Sequence, residues 1–158
     1  VSRPLQQEIR QRRPFRSPAH EAIVGLLRTA DHVRRRLAAV IEPSGVTVQQ
    51  FNVLRILRGA GRDGLPTLEV AARMVEQTPG ITRLLDRLEA RHLVRRQRCP
   101  RDRRQHLCWI TPAGQVLLED LEAPVLRIGE NLLTNLDDGR RAALIDMLDE
   151  VRASGKGA

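Results

Sequence analysis

Apolar residues recur at helical spacing through most of this chain. Ala22, Ile23, Leu26, Leu27, Ala30, Val33, Leu37, Val40 and Ile41 fall on one helical face. Ser17-Pro18 ahead of them supplies a capping oxygen and a first-turn proline, and Pro43-Ser44-Gly45 ends the run. Thr47 is placed to cap a second helix with Phe51, Leu54 and Leu57 on one face and Val53 and Ile56 beside them, closed by Gly59 to Gly64. A third, short helix is expected after Thr67, carrying Leu68, Val70, Ala71, Ala72, Met74 and Val75. Thr78-Pro79 repeats the cap-plus-proline signature before a fourth helix whose apolar stripe is Ile81, Leu84, Leu85 and Leu88. Thr67 to Arg91 therefore reads as a helix-turn-helix.

The period then changes. Leu93 to Cys99 and Gln105 to Ile110 read as strands, with Pro100 to Arg104 as the turn between them. Thr111-Pro112 opens another helix, with an apolar stripe from Val116 to Leu136 and a kink expected at Pro124, where a backbone donor is lost. Asp137 or Asp138 caps a last helix carrying Leu144, Ile145, Met147, Leu148 and Val151. The predicted fold is mainly α with a small β-hairpin wing: a winged helix-turn-helix over residues 46–111 and a helical dimerisation region over 17–45 and 112–158. Residues 1–16, with Arg10, Arg12, Arg13 and Arg16 around Pro14 and Phe15, show little periodicity and are expected to form a basic arm. A compact winged helix cannot cover the apolar stripes of the end helices, so a second copy of the chain is expected to cover them.

Charge changes the picture of what the hairpin is for. The chain of 158 residues carries 27 Lys+Arg against 19 Asp+Glu, a net of +8. Between Arg73 and Thr111 lie ten arginines and four acids, so most of the excess sits on the helix-turn-helix and the hairpin. The only lysine is Lys156. A GC-rich coding sequence also raises the Arg/Lys ratio, so it is the clustering that points to nucleic acid: guanidinium groups grip phosphate or a guanine edge with paired hydrogen bonds. Arg101, Arg103 and Arg104 at the hairpin tip repel one another unless an anion lies nearby.

Other chemistry finds little footing. His20, His32, His92 and His106 are scattered, no Cys/His set has zinc spacing, and no metal or cofactor is expected. A hairpin turning near Asp102 puts Cys99 nearer His106 than Cys108, which argues against a disulfide, while a redox role for either thiol stays open. No nucleophile triad, phosphate-cradling glycine loop or paired carboxylates stand out, so no enzyme is expected. No stretch approaches the roughly 20 apolar residues that cross a bilayer, and the N-terminus lacks an apolar leader core, which together predict a cytoplasmic protein with no membrane partner.

The segment Asp102-Arg103-Arg104-Gln105-His106-Leu107-Cys108-Trp109-Ile110-Thr111 resembles the wing signature of the MarR family of winged-helix transcription regulators. Thr47-Val48-Gln49-Gln50-Phe51-Asn52-Val53-Leu54 is similar to the family's second-helix pattern, and Thr82-Arg83-Leu84-Leu85-Asp86-Arg87-Leu88-Glu89 to its recognition helix. In this order the resemblance runs from about Ser17 to Val151. It implies a homodimer on a pseudo-palindromic operator in double-stranded DNA, each recognition helix in a major groove and each wing in a minor groove, under control of a small-molecule effector. It also implies that Arg104 enters the minor groove while Asp102 holds the tip. Where the family usually has glycine after the recognition helix, this chain has His92, which is then expected in a left-handed conformation.

These readings give Thr78, Pro79, Gly80, Thr82, Arg83, Arg87, Arg101, Asp102, Arg103 and Arg104 as candidate DNA-binding residues. For Arg83 and Arg87 the plain alternative is a solvated helix face with local ion pairs to Asp86 or Glu89. The aromatics are few, so Phe15, Phe51 and Trp109 are the candidates for lining an effector site. The expected function is a ligand-responsive transcriptional repressor. Its rivals are a non-specific architectural DNA-binding protein and a winged helix used for protein contact.

Overall fold

The computed structural model describes residues 5–77, 79–100, 102 and 105–154. The helices are α1 (Leu5–Glu8), α2 (Pro18–Ile41), α3 (Val48–Ala60), α4 (Thr67–Ala72), α5 (Ile81–Ala90), α6 (Pro112–Leu132) and α7 (Asp138–Ala153). The strands are β1 (Leu65–Pro66), β2 (Val94–Arg98) and β3 (His106–Ile110), forming one antiparallel sheet in the order β1-β3-β2. The mainly helical fold with a hairpin wing is the one expected from the pattern.

Most helix starts follow from the residues that cap them. Ser17 accepts from the His20 N–H, Thr47 from Gln50, Thr111 from Gly114 and Asp137 from Arg140. At α3 the box is reciprocal, because the Gln50 side chain accepts the Thr47 N–H at 2.9 Å. That bond satisfies the Gln50 Oε1 in a residue that is itself buried.

Several boundaries differ from the expectation. The basic arm is not wholly irregular: Leu5–Glu8 is a turn of helix, tied to α2 by Glu8 and Arg28 at 2.9 Å. Helix α4 stops at Ala72, so Met74 is buried from an irregular segment and Val75 is exposed. The third strand, β1, has only two residues and no alternation long enough to reveal it; it pairs with β3 through Leu65 opposite Cys108. Helix α6 runs through Pro124 without a break and ends at Leu132 rather than near Leu136.

The core gathers Val53, Leu54 and Leu57 from α3, Val70 from α4, Leu85 and Leu88 from α5, and Val94 and Cys108 from the sheet, all with no more than 2% exposure. Ile41 from α2 and Leu118 and Leu121 from α6 are buried in the same cluster. The outer helices are therefore rooted in the sheet-side core at one end. Gly114 makes the close approach of α6 feasible, since a Cβ there would stand 2.3 Å from the Leu93 carbonyl oxygen. The terminal helix α7 contributes no buried residue, and Arg141 on it pairs with Glu130 on α6 at 3.2 Å.

Candidate nucleic-acid interface

Helix α5 buries Leu84, Leu85 and Leu88 and turns Thr82, Arg83, Asp86 and Arg87 outward. Its expected cap, Thr78, lies outside the described residues. The helix begins at Ile81, with Gly80 at the cap position at φ +102° and no side chain capping it among the described residues. Glycine suits that left-handed bend, and its carbonyl accepts the Arg83 N–H at 2.9 Å. Pro79 and Gly80 are both exposed on this approach to the helix.

At the other end of α5, His92 takes the left-handed conformation expected of it, with φ +57°. Its carbonyl accepts a hydrogen bond from the Thr111 hydroxyl at 2.6 Å, while Leu93 accepts the Thr111 N–H at 3.1 Å. The end of the recognition helix, the root of the wing and the start of α6 are thus joined at one residue. Arg91 adds a tie to the junction between α2 and α3, donating to the Ser44 carbonyl at 3.2 Å and to that of Gly45.

The wing strands pair from Val94 opposite Ile110 to Arg98 opposite His106. Cys99 bonds across to Gln105 while Cys108 faces Arg96, so the two cysteines lie apart, as the turn position predicted, and both are free. Burial raises the pKa of Cys108 and outweighs the opposing hydrogen bond with Thr67, which keeps this thiol neutral. Of the tip residues, Asp102 is exposed and its carbonyl accepts the Gln105 N–H at 2.9 Å. Arg101, Arg103 and Arg104 lie outside the described residues.

The arginines of this region divide into two groups. Arg73 pairs with Glu69 at 3.2 Å, and Arg95 stacks over Trp109 at 4.1 Å from the ring centre. Arg96 meets Glu89 at 2.6 Å and Asp86 at 2.5 Å, and its backbone N–H donates to Glu89 at 3.0 Å. Burial works against the Arg96 charge, yet the hydrogen bonds with Glu89 and Asp86 outweigh it and raise its pKa. Arg83, Arg87 and Arg98, by contrast, are exposed and make no ion pair among the described residues. The local pairs considered for Arg83 and Arg87 are not formed, because Arg96 holds both of those carboxylates. The period-two alternation of Val94, Arg96 and Arg98 is the signal in the sequence that puts Arg96 on the strand face turned toward α5.

A family model described as MarR family matches residues 44–105. A MarR transcription factor from Planctomyces limnophilus is 38% identical, with 86% of this chain and 98% of that one covered and a TM-score of 0.67. This chain belongs to the MarR family. A mutant MarR from E. coli, solved in complex with operator DNA, is 28% identical, with 85% of this chain and 99% of that one covered and a TM-score of 0.71. A candidate transcriptional regulatory protein for the hcr operon of Thauera aromatica is 28% identical over 115 residues, 73% of this chain and 68% of its own length. The chain is thus a winged-helix transcription regulator, from a family of regulators and not of enzymes. Among the described residues, no helix is long and apolar enough to cross a membrane.

This MarR-family chain also has a cavity of about 410 Å³ between α2, α3, α6 and α7, walled by Leu26, Val33, Leu37, Phe51, Val125 and Leu148 among others. Arg34, Asn52, Arg55 and Glu76 supply its polar edge. Arg34 binds Glu76 at 2.8 Å, and Asn52 accepts the Val75 N–H at 2.9 Å, so two wall residues hold the segment that leads to α5. Hydrogen bonding to Glu76 raises the Arg34 pKa. The three aromatic candidates are not brought together. Phe51 lines the cavity; Phe15 meets His20 edge-on at 5.4 Å; Trp109 sits on the wing root, donating to the Arg62 carbonyl at 3.0 Å. Trp109 also lies against Gly64, where a Cβ would stand 2.5 Å from the indole. The partners of Arg34, Asn52, Arg91 and Arg96 could not be read from the sequence, since each lies on another element.

Proposed function

We propose that this regulator is a homodimeric repressor that binds a pseudo-palindromic operator and releases it when a small effector enters the cavity beside α2 and α3. The observation that carries DNA binding is the exposed face of α5, where Arg83 and Arg87 have no ion-pair partner among the described residues. Two such guanidiniums on an exposed helix face favour phosphates and guanine edges in a major groove. The wing then reaches the adjacent minor groove with Arg101, Arg103 and Arg104, Asp102 orienting Arg104. The E. coli relative's complex with operator DNA supports the same use here.

Dimerisation is supported by the outer helices. Leu27 on α2, Val116 and Leu126 on α6, and Ile145, Met147 and Val151 on α7 are more than half exposed in the single chain. A two-fold pairing of these helices covers them and spaces the two recognition helices for half-sites about 34–36 Å apart. A dimer seated on a promoter blocks by occupancy and needs no further partner, so the sign proposed is repression. Effector control rests on the apolar cavity, whose walls Arg34 and Asn52 also hold the Met74–Glu76 segment. A ligand shifts DNA binding only as far as it prefers one position of that segment over the other.

The test is fluorescence anisotropy with a duplex from upstream of the protein's own coding sequence and a scrambled duplex, over a salt series. A specific regulator prefers the upstream duplex, and log K falls with log salt by about 0.9 per phosphate contact. Equal binding to both duplexes favours an architectural role, and no binding at any salt favours a protein partner.

A further inference from the structure

The recognition helix carries two carboxylates that a DNA-reading face would ordinarily exclude. At about 100° per residue, Asp86 lies between Thr82 and Arg83 at the middle of the polar face of α5, and Glu89 lies at its edge beside Leu85. A free carboxylate at that position repels phosphate and, where it does reach a base, accepts from the amino group of cytosine. Neither carboxylate is free. Arg96, reaching over from the wing strand β2, holds Glu89 through its guanidinium at 2.6 and 3.0 Å and Asp86 at 2.5 Å. Its own backbone N–H closes a further bond on Glu89 at 3.0 Å.

The Arg96 side chain is only 19% exposed, whereas those of Asp86 and Glu89 are 53% and 38% exposed. It therefore lies beneath the carboxylates, between helix and strand, rather than on the DNA-facing surface. Its neighbours along β2 have other roles: Val94 is in the core and Arg95 is stacked on Trp109 on the opposite face of the sheet. Arg96 is the residue through which the charged faces of helix and wing meet.

We propose that Arg96 is a positioning residue of the recognition surface: it fastens the wing strand to the recognition helix and takes Asp86 and Glu89 out of base reading. The helix then reads guanine edges through Arg83 and Arg87. This rests on the DNA-binding reading above and adds which base the half-site must contain and why the acids on the same helix do not compete. The fastening also makes helix and wing one rigid body, so the major-groove and minor-groove contacts are set together.

The experiment is selection from a pool of random duplexes, with affinities measured by anisotropy, for the wild-type chain and for Asp86→Ala, Arg96→Met and the Arg96→Met/Asp86→Ala double variant. Asp86→Ala leaves Glu89 on Arg96 and is expected to keep the guanine preference and the affinity within about 2-fold. Arg96→Met frees a carboxylate at the centre of the face, and is expected to bind about 10-fold more weakly and to shift selection toward cytosine at the position facing Asp86. The double variant is expected to lose that cytosine preference and regain guanine. A lost base preference in Asp86→Ala overturns the proposal, because Asp86 then reads DNA directly. So does an Arg96→Met chain that keeps wild-type affinity and selection. If Arg96→Met does not fold by circular dichroism, the Asp86→Ala arm decides alone. Wild-type chain that selects no duplex sinks the DNA-binding reading itself, and this inference with it, whereas wild-type selection with a failed variant pattern sinks only the role of Arg96.

Discussion

The sheet-side core and the outer helices are written in the same alphabet of leucine, isoleucine and valine at helical spacing, yet they end in opposite environments. Leu85 and Leu88 on α5 are fully buried, while Ile145 and Met147 on α7 are 58% and 59% exposed. The difference lies in what each helix has to pack against. Helix α5 is hemmed in by α3, α4 and β2, whereas α7 meets α6 through the Arg141–Glu130 pair and has no buried residue of its own. An apolar stripe thus marks where burial is needed, not whether one chain supplies it, and the shortfall in the outer helices is what a second copy is proposed to fill.

The contrast breaks most sharply at Leu85. Leu85→Ala leaves a cavity in a closed core and is expected to cost about 2–5 kcal/mol, read as a lower midpoint in urea denaturation. The reverse case is Ile145→Asp, which changes an exposed position and is expected to leave the secondary structure intact. In the proposed dimer it buries a charge, so the dimer dissociation constant is expected to rise at least 30-fold, or about 2 kcal/mol, in sedimentation equilibrium. An unchanged dimer would place the interface elsewhere, and a monomeric wild type would remove it.

Two smaller substitutions sharpen the comparison at the joint between the regions. Thr111→Ala removes both the cap of α6 and the donor to the His92 carbonyl, and is expected to cost about 1 kcal/mol in the same denaturation assay. Arg58→Ala breaks the exposed pair with Glu122 that links α3 to α6. Solvent screens such a pair, so the expected loss is below about 0.5 kcal/mol. A larger loss would mean that charge at the surface, rather than packing at Ile41 and Leu118, holds the outer helices to the core.

Much of this architecture is legible along the chain because its causes are local. Ser17, Thr47, Thr111 and Asp137 cap helices through hydrogen bonds to residues three positions on, a distance the sequence contains. Alternation from Val94 to Ile110 sets the hairpin, and the position of its turn keeps Cys99 and Cys108 apart. The same locality fails for β1, whose two residues become a strand only because β3 lies beside them. It fails again at α5, where cap and proline at Thr78-Pro79 point to a start that the helix makes instead at Ile81.

The candidate site divides in the same way. Spacing places Thr82, Arg83 and Arg87 on one polar face, because the helical period depends on neighbours alone. Which arginines are engaged is a question of pairing across space. Arg96 and Arg83 look alike in the chain, yet one is clamped between Asp86 and Glu89 and the other has no ion-pair partner among the described residues. The cavity is likewise assembled from α2, α3, the Met74–Glu76 segment, α6 and α7, five stretches with no common motif, and it takes in Phe51 while leaving Phe15 and Trp109 outside. Periodicity, capping and charge clustering are properties of short range and are written in the residues. Burial, ion-pair choice and cavity shape depend on which distant surfaces meet, and only the packed chain decides them.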